Sequence, residues 1–196
     1  PNTTQSLFCS GCLKYRDNYK CKIMSQQFHI SVGQCVSIVG DVEENLALAE
    51  KLCEEARAKG ANLILFPETH ATGYSYRDLY SLVLSTAETM SGRIVRRLRG
   101  MAVANGLVVC SGMFEREGDL FYNTQIVAFP DGRVECQRKG SSACAEADVI
   151  ALDPVRRVFE WKGTKFGILI CADSSIGDFP EQFDELGISL LLHPCA

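Results

Sequence analysis

The alternation of apolar and polar residues predicts a chain built from strands and amphipathic helices. Residues 28–35 alternate with the period of two that is typical of a strand. From position 42 to Lys59 the apolar residues recur every three or four positions, which predicts a helix capped by Asp41 and ended by Gly60. The run 61–66 is apolar on both faces, as in a strand buried within a sheet that is covered on both sides.

The rest of the chain adds hairpins to this pattern. The further predicted elements are a helix at about 91–104, strands at 107–114, 121–129, 134–137, 158–161 and 165–170, a short helix near 179–186 and a last strand at 188–192. The polar segments Glu115–Asp119 and Pro130–Arg133 predict the turns of two hairpins. Strand–helix–strand units together with hairpins indicate an α/β fold with a mixed sheet.

The first 27 residues differ from the rest of the chain. They are polar, show no sustained periodicity, and contain Cys9, Cys12 and Cys21. Cys9 and Cys12 have the spacing of half a zinc site, but no second close pair follows, and Cys21 and His29 would complete the set only at irregular spacing. The preferred interpretation is an irregular polar leader that need not be ordered, so residues 28–196 form the predicted domain.

Composition and charge exclude several classes of partner. The 196 residues are 46% hydrophobic and 22% charged, which is typical of a globular domain. A net charge of −4 gives no reason to expect nucleic acid or an anionic membrane as a partner. No apolar run approaches the roughly 18 residues of a membrane-spanning helix, and no signal peptide is visible, although the chain does not begin with Met. The ten scattered cysteines predict free thiols in a reducing, cytoplasmic compartment.

Three polar residues follow predicted strands, where α/β proteins place their functional sites. Glu68 follows the apolar run that ends at Pro67, Lys139 follows the strand 134–137, and Cys171 follows the strand 165–170. Taken singly, each has an ordinary explanation: a helix cap or surface charge, a loop lysine, and a small buried residue.

Together the three residues form a plausible catalytic set. A thiol with an ordinary pKa near 8.5 is mostly protonated at neutral pH, so Cys171 needs a base or a nearby cation to attack carbon. Glu68 can take the proton and later activate water, while Lys139 and the backbone N–H of Ala172 stabilise an oxyanion. Since only His70 lies near one of these residues in sequence, a papain-like Cys–His pair is disfavoured and His70 is predicted to line the pocket.

These motifs resemble the nitrilase (carbon–nitrogen hydrolase) superfamily from about Phe28 to the last residue. The residues that carry the resemblance are Leu63–Glu68 followed by Gly73-Tyr74, then Tyr122-Asn123-Thr124, Asp131-Gly132 and Arg138-Lys139, then Gly167–Asp173, and finally Phe179-Pro180-Glu181 with Leu186-Gly187-Ile188. The first group is similar to the family's "PE…GY" signature, the second to its lysine segment and the third to its nucleophile strand. Several motifs in the family's order are far more specific than any one of them.

The resemblance implies a four-layer αββα sandwich that hydrolyses a small amide, carbamoyl or, less readily, nitrile compound through a thioester. It implies no cofactor, no metal and a homodimer or larger assembly. Glu68, Lys139 and Cys171 take the family's catalytic positions, and Glu146 is the nearest candidate for a second glutamate that orients the lysine. Tyr74 and Tyr122 are predicted to line the substrate pocket with His70.

Two departures from the family leave alternatives open. No arginine follows Asp173 closely, where members often have one, and the chain stops at Ala196, where members usually continue with further strands. The sequence therefore predicts a domain whose C-terminal part is missing and whose stability is marginal. A glutaminase domain of a larger synthetase, and a catalytically inactive remnant or interaction module, are the alternative functions.

Overall fold

The computed structural model describes residues 3–7, 27–143, 146–175, 182–183 and 185–196. Its strands are β1 Thr3–Leu7, β2 Ile30–Gln34, β3 Leu63–Leu65, β4 Val108–Glu117, β5 Leu120–Ala128, β6 Val134–Arg138, β7 Phe159–Trp161, β8 Thr164–Ile168 and β9 Leu190–Leu192. Its helices are α1 Val42–Ala58, α2 Leu79–Thr86 and α3 Arg93–Asn105, with a short 3-10 helix at Cys171–Ser175.

The strands form two mixed sheets. In the larger sheet the strands lie in the order β1 to β6, with β2, β3 and β4 parallel and the other neighbours antiparallel. In the smaller sheet β8 lies between β7, which is antiparallel to it, and β9, which is parallel. The predicted α/β class with mixed sheets is confirmed.

The two sheets pack face to face between layers of helices. Strand β3 is apolar on both faces because each face packs in a different core. Ile64 faces the core beneath α1 and α3, whereas Leu63 and Leu65 face the smaller sheet. On the far side of the smaller sheet, Phe183 of the short helical segment covers Gly167 of β8. The order helix, sheet, sheet, helix is that of an αββα sandwich.

Most element bounds follow the periodicity, and the differences have local causes. The Asp41 carboxylate caps α1 by accepting a 3.1 Å hydrogen bond from the Glu44 N–H, as predicted. Helix α2 was not predicted, because its Asp78 makes no side-chain cap and its eight residues are ordered by packing on Phe114. The hairpin predicted at Glu115–Asp119 is confirmed, but its turn is only residues 118–119. Strand β4 continues to Glu117, since Glu115 is buried and pairs with Arg138.

The predicted leader is described only at Thr3–Leu7, which pair antiparallel with β2 as an edge strand. This strand lies inside a segment for which the sequence predicts no regular element, and the division into leader and domain stays a prediction. Cys9, Cys12 and Cys21 lie outside the described residues, as does part of the predicted helix 179–186. Among the helices that are described, none is both long and apolar enough to span a membrane.

Candidate active site

Glu68, Lys139 and Glu146 form a buried charged cluster at the ends of the central strands. The Lys139 Nζ lies 2.7 Å from the Glu68 Oε1 and 2.8 Å from the Glu146 Oε2. The Asn123 Nδ2 donates to both carboxylates, at 2.8 Å to Glu68 and 2.9 Å to Glu146. Because the three charged side chains are 0–2% exposed, each depends on the others for the interactions that water would otherwise supply.

A tight turn after β3 presents Glu68 to the site. Thr69 adopts φ of +47°, an unusual conformation for a β-branched residue and one that strains the backbone next to Glu68. Gly112 on the neighbouring β4 allows the turn to approach, since a Cβ there would lie 2.2 Å from the Thr69 backbone nitrogen. The position of Glu68 therefore depends on a glycine far away in sequence.

Lys139 is held by its backbone as well as by its side chain. It directly follows β6, where its N–H donates to the Asn123 carbonyl at 2.8 Å, and its own carbonyl accepts from the Asp153 N–H at 3.0 Å. Burial lowers the pKa of Lys139, but the charges and hydrogen bonds of Glu68 and Glu146 outweigh burial, so the net shift of this pKa is upward. Lys139 is therefore an ammonium ion at neutral pH.

Cys171 begins the 3-10 helix after β8 in a left-handed conformation, with φ of +48°. Its N–H donates to the Pro194 carbonyl at 2.9 Å, and its side chain is half-buried. Burial, and next the Glu68 charge, raise the pKa of the Cys171 thiol to about 11, although Lys139 opposes them. The thiol is thus protonated at rest and needs a base when it reacts.

We expect Glu68→Gln to lower the pKa of Cys171 below about 11, because the variant removes the negative charge beside the thiol while burial remains. A pH titration of ultraviolet thiolate absorbance, taken as the difference from Cys171→Ser, measures this pKa. Glu135→Gln on β6, at a half-exposed position paired with Arg133, is the control and should leave the titration unchanged. A Cys171 pKa that stayed the same or rose in Glu68→Gln would contradict this electrostatic assignment.

Asp173 connects the nucleophile turn to the lysine loop. Its Oδ1 accepts from the Gly140 N–H at 3.0 Å and from the Ser141 hydroxyl at 2.7 Å. Its Oδ2 accepts from the Ile170 N–H at 3.1 Å and pairs with the Arg156 guanidinium at 3.2 Å. No arginine follows Asp173 closely in the sequence. Arg156, from a segment distant in sequence, places a guanidinium beside Asp173 instead.

A cavity of about 430 Å³ opens beside Glu68. Its wall combines aromatic, thiol and short polar side chains, including Cys35, Ser37, Tyr74, Tyr76 and Cys195. The Ala196 N–H donates to the Glu68 Oε2 at 3.1 Å, so the segment after β9 closes one side of the site. The cavity has the size and position of a small-molecule site.

The predicted site residues separate into two groups. Glu68, Lys139, Cys171 and Glu146 come together, Tyr74 lines the cavity, and Ala172 lies in the first turn of the 3-10 helix, whose N–H groups have no partner within that helix. Tyr122 and His70 do not line this cavity, so their predicted positions are wrong.

The reasons for these two errors are local. Tyr122 precedes Asn123 on β5, so its side chain points to the opposite face, where the Arg138 guanidinium lies 3.9 Å from its ring centre. His70 is fully buried, stacks on Phe66 and contacts the Ser111 hydroxyl at 3.2 Å. Burial lowers the pKa of His70 to about 4, so it is a neutral core residue.

Four residues at or beside the site were not predicted: Asn123, Asp173, Arg156 and Cys195. Asn123 and Asp173 lie within motifs that the sequence analysis identified, so a search for polar residues on the site strands would have found them. Arg156 and Cys195 reach the site from segments distant in sequence, and no local pattern marks them.

Comparisons with known proteins bear on the family and the fold. Residues 29–191 match the carbon-nitrogen hydrolase family. A nitrilase of Pyrococcus abyssi is 30% identical over 156 residues, and an omega-amidase of Xenopus tropicalis is 27% identical over 164, each alignment covering 78% of this chain. The chain spans 58% of the length of both relatives.

The fold is likewise that of a solved amidase from Nesterenkonia sp. AN1. The TM-score is 0.74 at 22% identity, covering 86% of this chain and 67% of that one. Because the family match covers most of this chain, the chain belongs to the carbon-nitrogen hydrolase family.

Proposed function

We propose that this site hydrolyses the carbon–nitrogen bond of a small amide or carbamoyl compound through a thioester on Cys171. The observation that carries the proposal is the position of Glu68. One carboxylate oxygen bonds the Lys139 ammonium at 2.7 Å, and the other accepts at 3.1 Å from the Ala196 N–H, in the segment that pairs with Cys171. In addition to burial, the Glu68 charge raises the pKa of the Cys171 thiol. A base, a cation and a nucleophile therefore meet beside one cavity.

In the first half of the proposed reaction, Cys171 acylates. The sulfur attacks the amide carbon while its proton passes to Glu68, and the carbonyl oxygen becomes an oxyanion. The Lys139 ammonium and the Ala172 N–H stabilise that charge. The carbon–nitrogen bond then breaks as Glu68 returns the proton to the departing nitrogen, which releases ammonia and leaves a thioester.

In the second half, water replaces the departed ammonia. Glu68 takes a proton from the water as its oxygen attacks the thioester carbon, and Lys139 again faces the oxyanion. The carbon–sulfur bond breaks and the proton returns to sulfur, giving a carboxylic acid and the free thiol. Glu146 touches no reacting atom in this scheme, so we infer that it is a positioning residue that orients the Lys139 ammonium.

The charge of the site favours an amide substrate over a nitrile. The relatives include both a nitrilase and an omega-amidase. A buried ammonium beside the nucleophile is well placed for the oxygen of an amide, which a nitrile lacks. Glutamine belongs among the trial substrates because a glutaminase domain of a larger synthetase uses the same chemistry.

The test is ammonia release from a panel of small amides, glutamine, carbamoyl compounds and nitriles. We expect the unmodified chain to release ammonia from at least one amide and Cys171→Ala to fall to background, because the proposed thioester forms on Cys171. Cys136→Ala on β6 removes a half-buried thiol outside the site and is the matched control. It should keep the activity of the unmodified chain.

Circular dichroism of each variant checks that the fold is retained. Equal release by the folded Cys171→Ala variant would overturn the assigned nucleophile. Background release throughout the panel from folded protein would favour an inactive remnant.

A further inference from the structure

A second thiol lies against the proposed nucleophile. The segment after β9 runs beside Cys171: the Cys171 N–H bonds the Pro194 carbonyl at 2.9 Å, and the His193 Nε2 lies 2.9 Å from the Cys171 carbonyl oxygen. Cys195 follows Pro194 directly and lines the cavity, and the register of β8 and β9, continued past the strand ends, places it opposite Cys171. Opposite positions on two paired strands lie about 5 Å apart, which is within the Cα separation that a disulfide spans.

We propose that Cys171 and Cys195 form an oxidisable dithiol, and that a hydroperoxide converts it to a disulfide that reversibly closes the site. Loss of hydrolysis on oxidation rests on the proposed function, because it assumes that Cys171 is the nucleophile. Formation of the disulfide does not depend on that function.

The oxidation balances with hydrogen peroxide as the oxidant. The Cys171 sulfur gives up its proton to Glu68 and attacks one peroxide oxygen; a sulfur–oxygen bond forms, the oxygen–oxygen bond breaks, and water leaves. The Cys195 sulfur then attacks the sulfenic acid of Cys171, forming the sulfur–sulfur bond as a second water leaves. Two thiols lose two electrons in total, and a dithiol reagent reverses the change.

The other cysteines near the site are poorer partners for Cys171. Cys35 lines the same cavity, but its side chain packs against the core between the larger sheet and α1 and α3. Cys110 is fully buried in the core between the sheets. Among the described cysteines Cys195 is the exposed one, so peroxide in solvent reaches it, and its segment pairs with the Cys171 backbone.

The chemical test is peptide mass spectrometry after hydrogen peroxide treatment of the folded chain, with free thiols blocked before digestion. We expect a Cys171–Cys195 linked peptide in the unmodified chain and in Cys35→Ser, and its loss in Cys195→Ser. In Cys195→Ser the Cys171 peptide should instead carry sulfinic or sulfonic acid, because no resolving thiol intercepts the sulfenic acid. Absence of the linked peptide while Cys171 is over-oxidised in the unmodified chain would overturn the proposal.

Ammonia release is a second, independent measurement of the same inference. Each protein is compared with its own untreated sample. Ammonia release by the oxidised unmodified chain should return when dithiothreitol is added, whereas release by oxidised Cys195→Ser should stay lost. Equal recovery in both proteins would overturn the protective disulfide. If no substrate is hydrolysed at all, the linked peptide alone decides, so failure of the proposed function is distinguishable from failure of this inference.

Discussion

Lys139→Met is expected to lower ammonia release by roughly 10²–10³-fold and to cost roughly 3–5 kcal/mol in the free energy of unfolding. The side chain is 1% exposed and lies between two carboxylates that are 0–2% exposed. Met keeps most of the volume but removes the charge, so Glu68 and Glu146 face each other without a cation. The oxyanion of the proposed reaction also loses its main stabilising charge. Steady-state ammonia release and urea unfolding measure the two effects.

The double variant Lys139→Met with Glu146→Gln separates stability from chemistry. Removing one of the two carboxylates should recover part of the lost unfolding free energy, because less uncompensated charge is buried. Ammonia release should not recover, since no cation returns to the site. If Lys139→Met kept its activity, Lys139 would not act on the oxyanion, and if its stability were unchanged, the cluster would not hold its charges as described.

Arg156→Met is expected to destabilise the fold by roughly 3–5 kcal/mol, because it leaves the Asp173 carboxylate buried without its cation. The Arg156 and Asp173 side chains are 2% and 0% exposed and lie 3.2 Å apart. Asp173 also accepts from Gly140, Ser141 and Ile170, so its displacement should loosen both the lysine loop and the nucleophile turn. Ammonia release should fall together with stability.

Arg157→Met is the matched control for this prediction. Arg157 is the next residue, pairs with Asp153 at 3.2 Å and is 37% exposed, so its ion pair is screened by water. We expect a loss of at most about 1 kcal/mol from Arg157→Met. Similar urea midpoints for the two variants would show that the buried Arg156–Asp173 pair contributes no more to stability than the exposed pair of Arg157. A double-mutant cycle with Asp173→Asn then isolates the coupling between Arg156 and Asp173.

The proposed catalytic residues were predictable as candidates because each follows a predicted strand. The runs before Glu68 and Cys171 are apolar on both faces, which is typical of strands buried inside a layered α/β fold. Their strands, β3 and β8, belong to different sheets, so only the packing of the two sheets brings the two residues near each other. Glu146 was harder, because it lies in a loop after Lys139 and only the 2.8 Å contact with the Lys139 Nζ identifies it.

The sequence by itself determined the α/β class, most strands and helices α1 and α3, and it singled out Glu68, Lys139 and Cys171 as the proposed catalytic residues. These follow from local periodicity, capping and motif order, which are properties of neighbouring residues along the chain. The tertiary structure decided that Tyr74 lines the cavity while Tyr122 points away, and that His70 is a core residue. It also decided that Arg156 pairs with Asp173, that α2 packs on Phe114, and that the segment of Cys195 pairs with Cys171. These contacts join residues far apart in sequence, and their energies come from burial and charge pairing that exist only once the layers have packed.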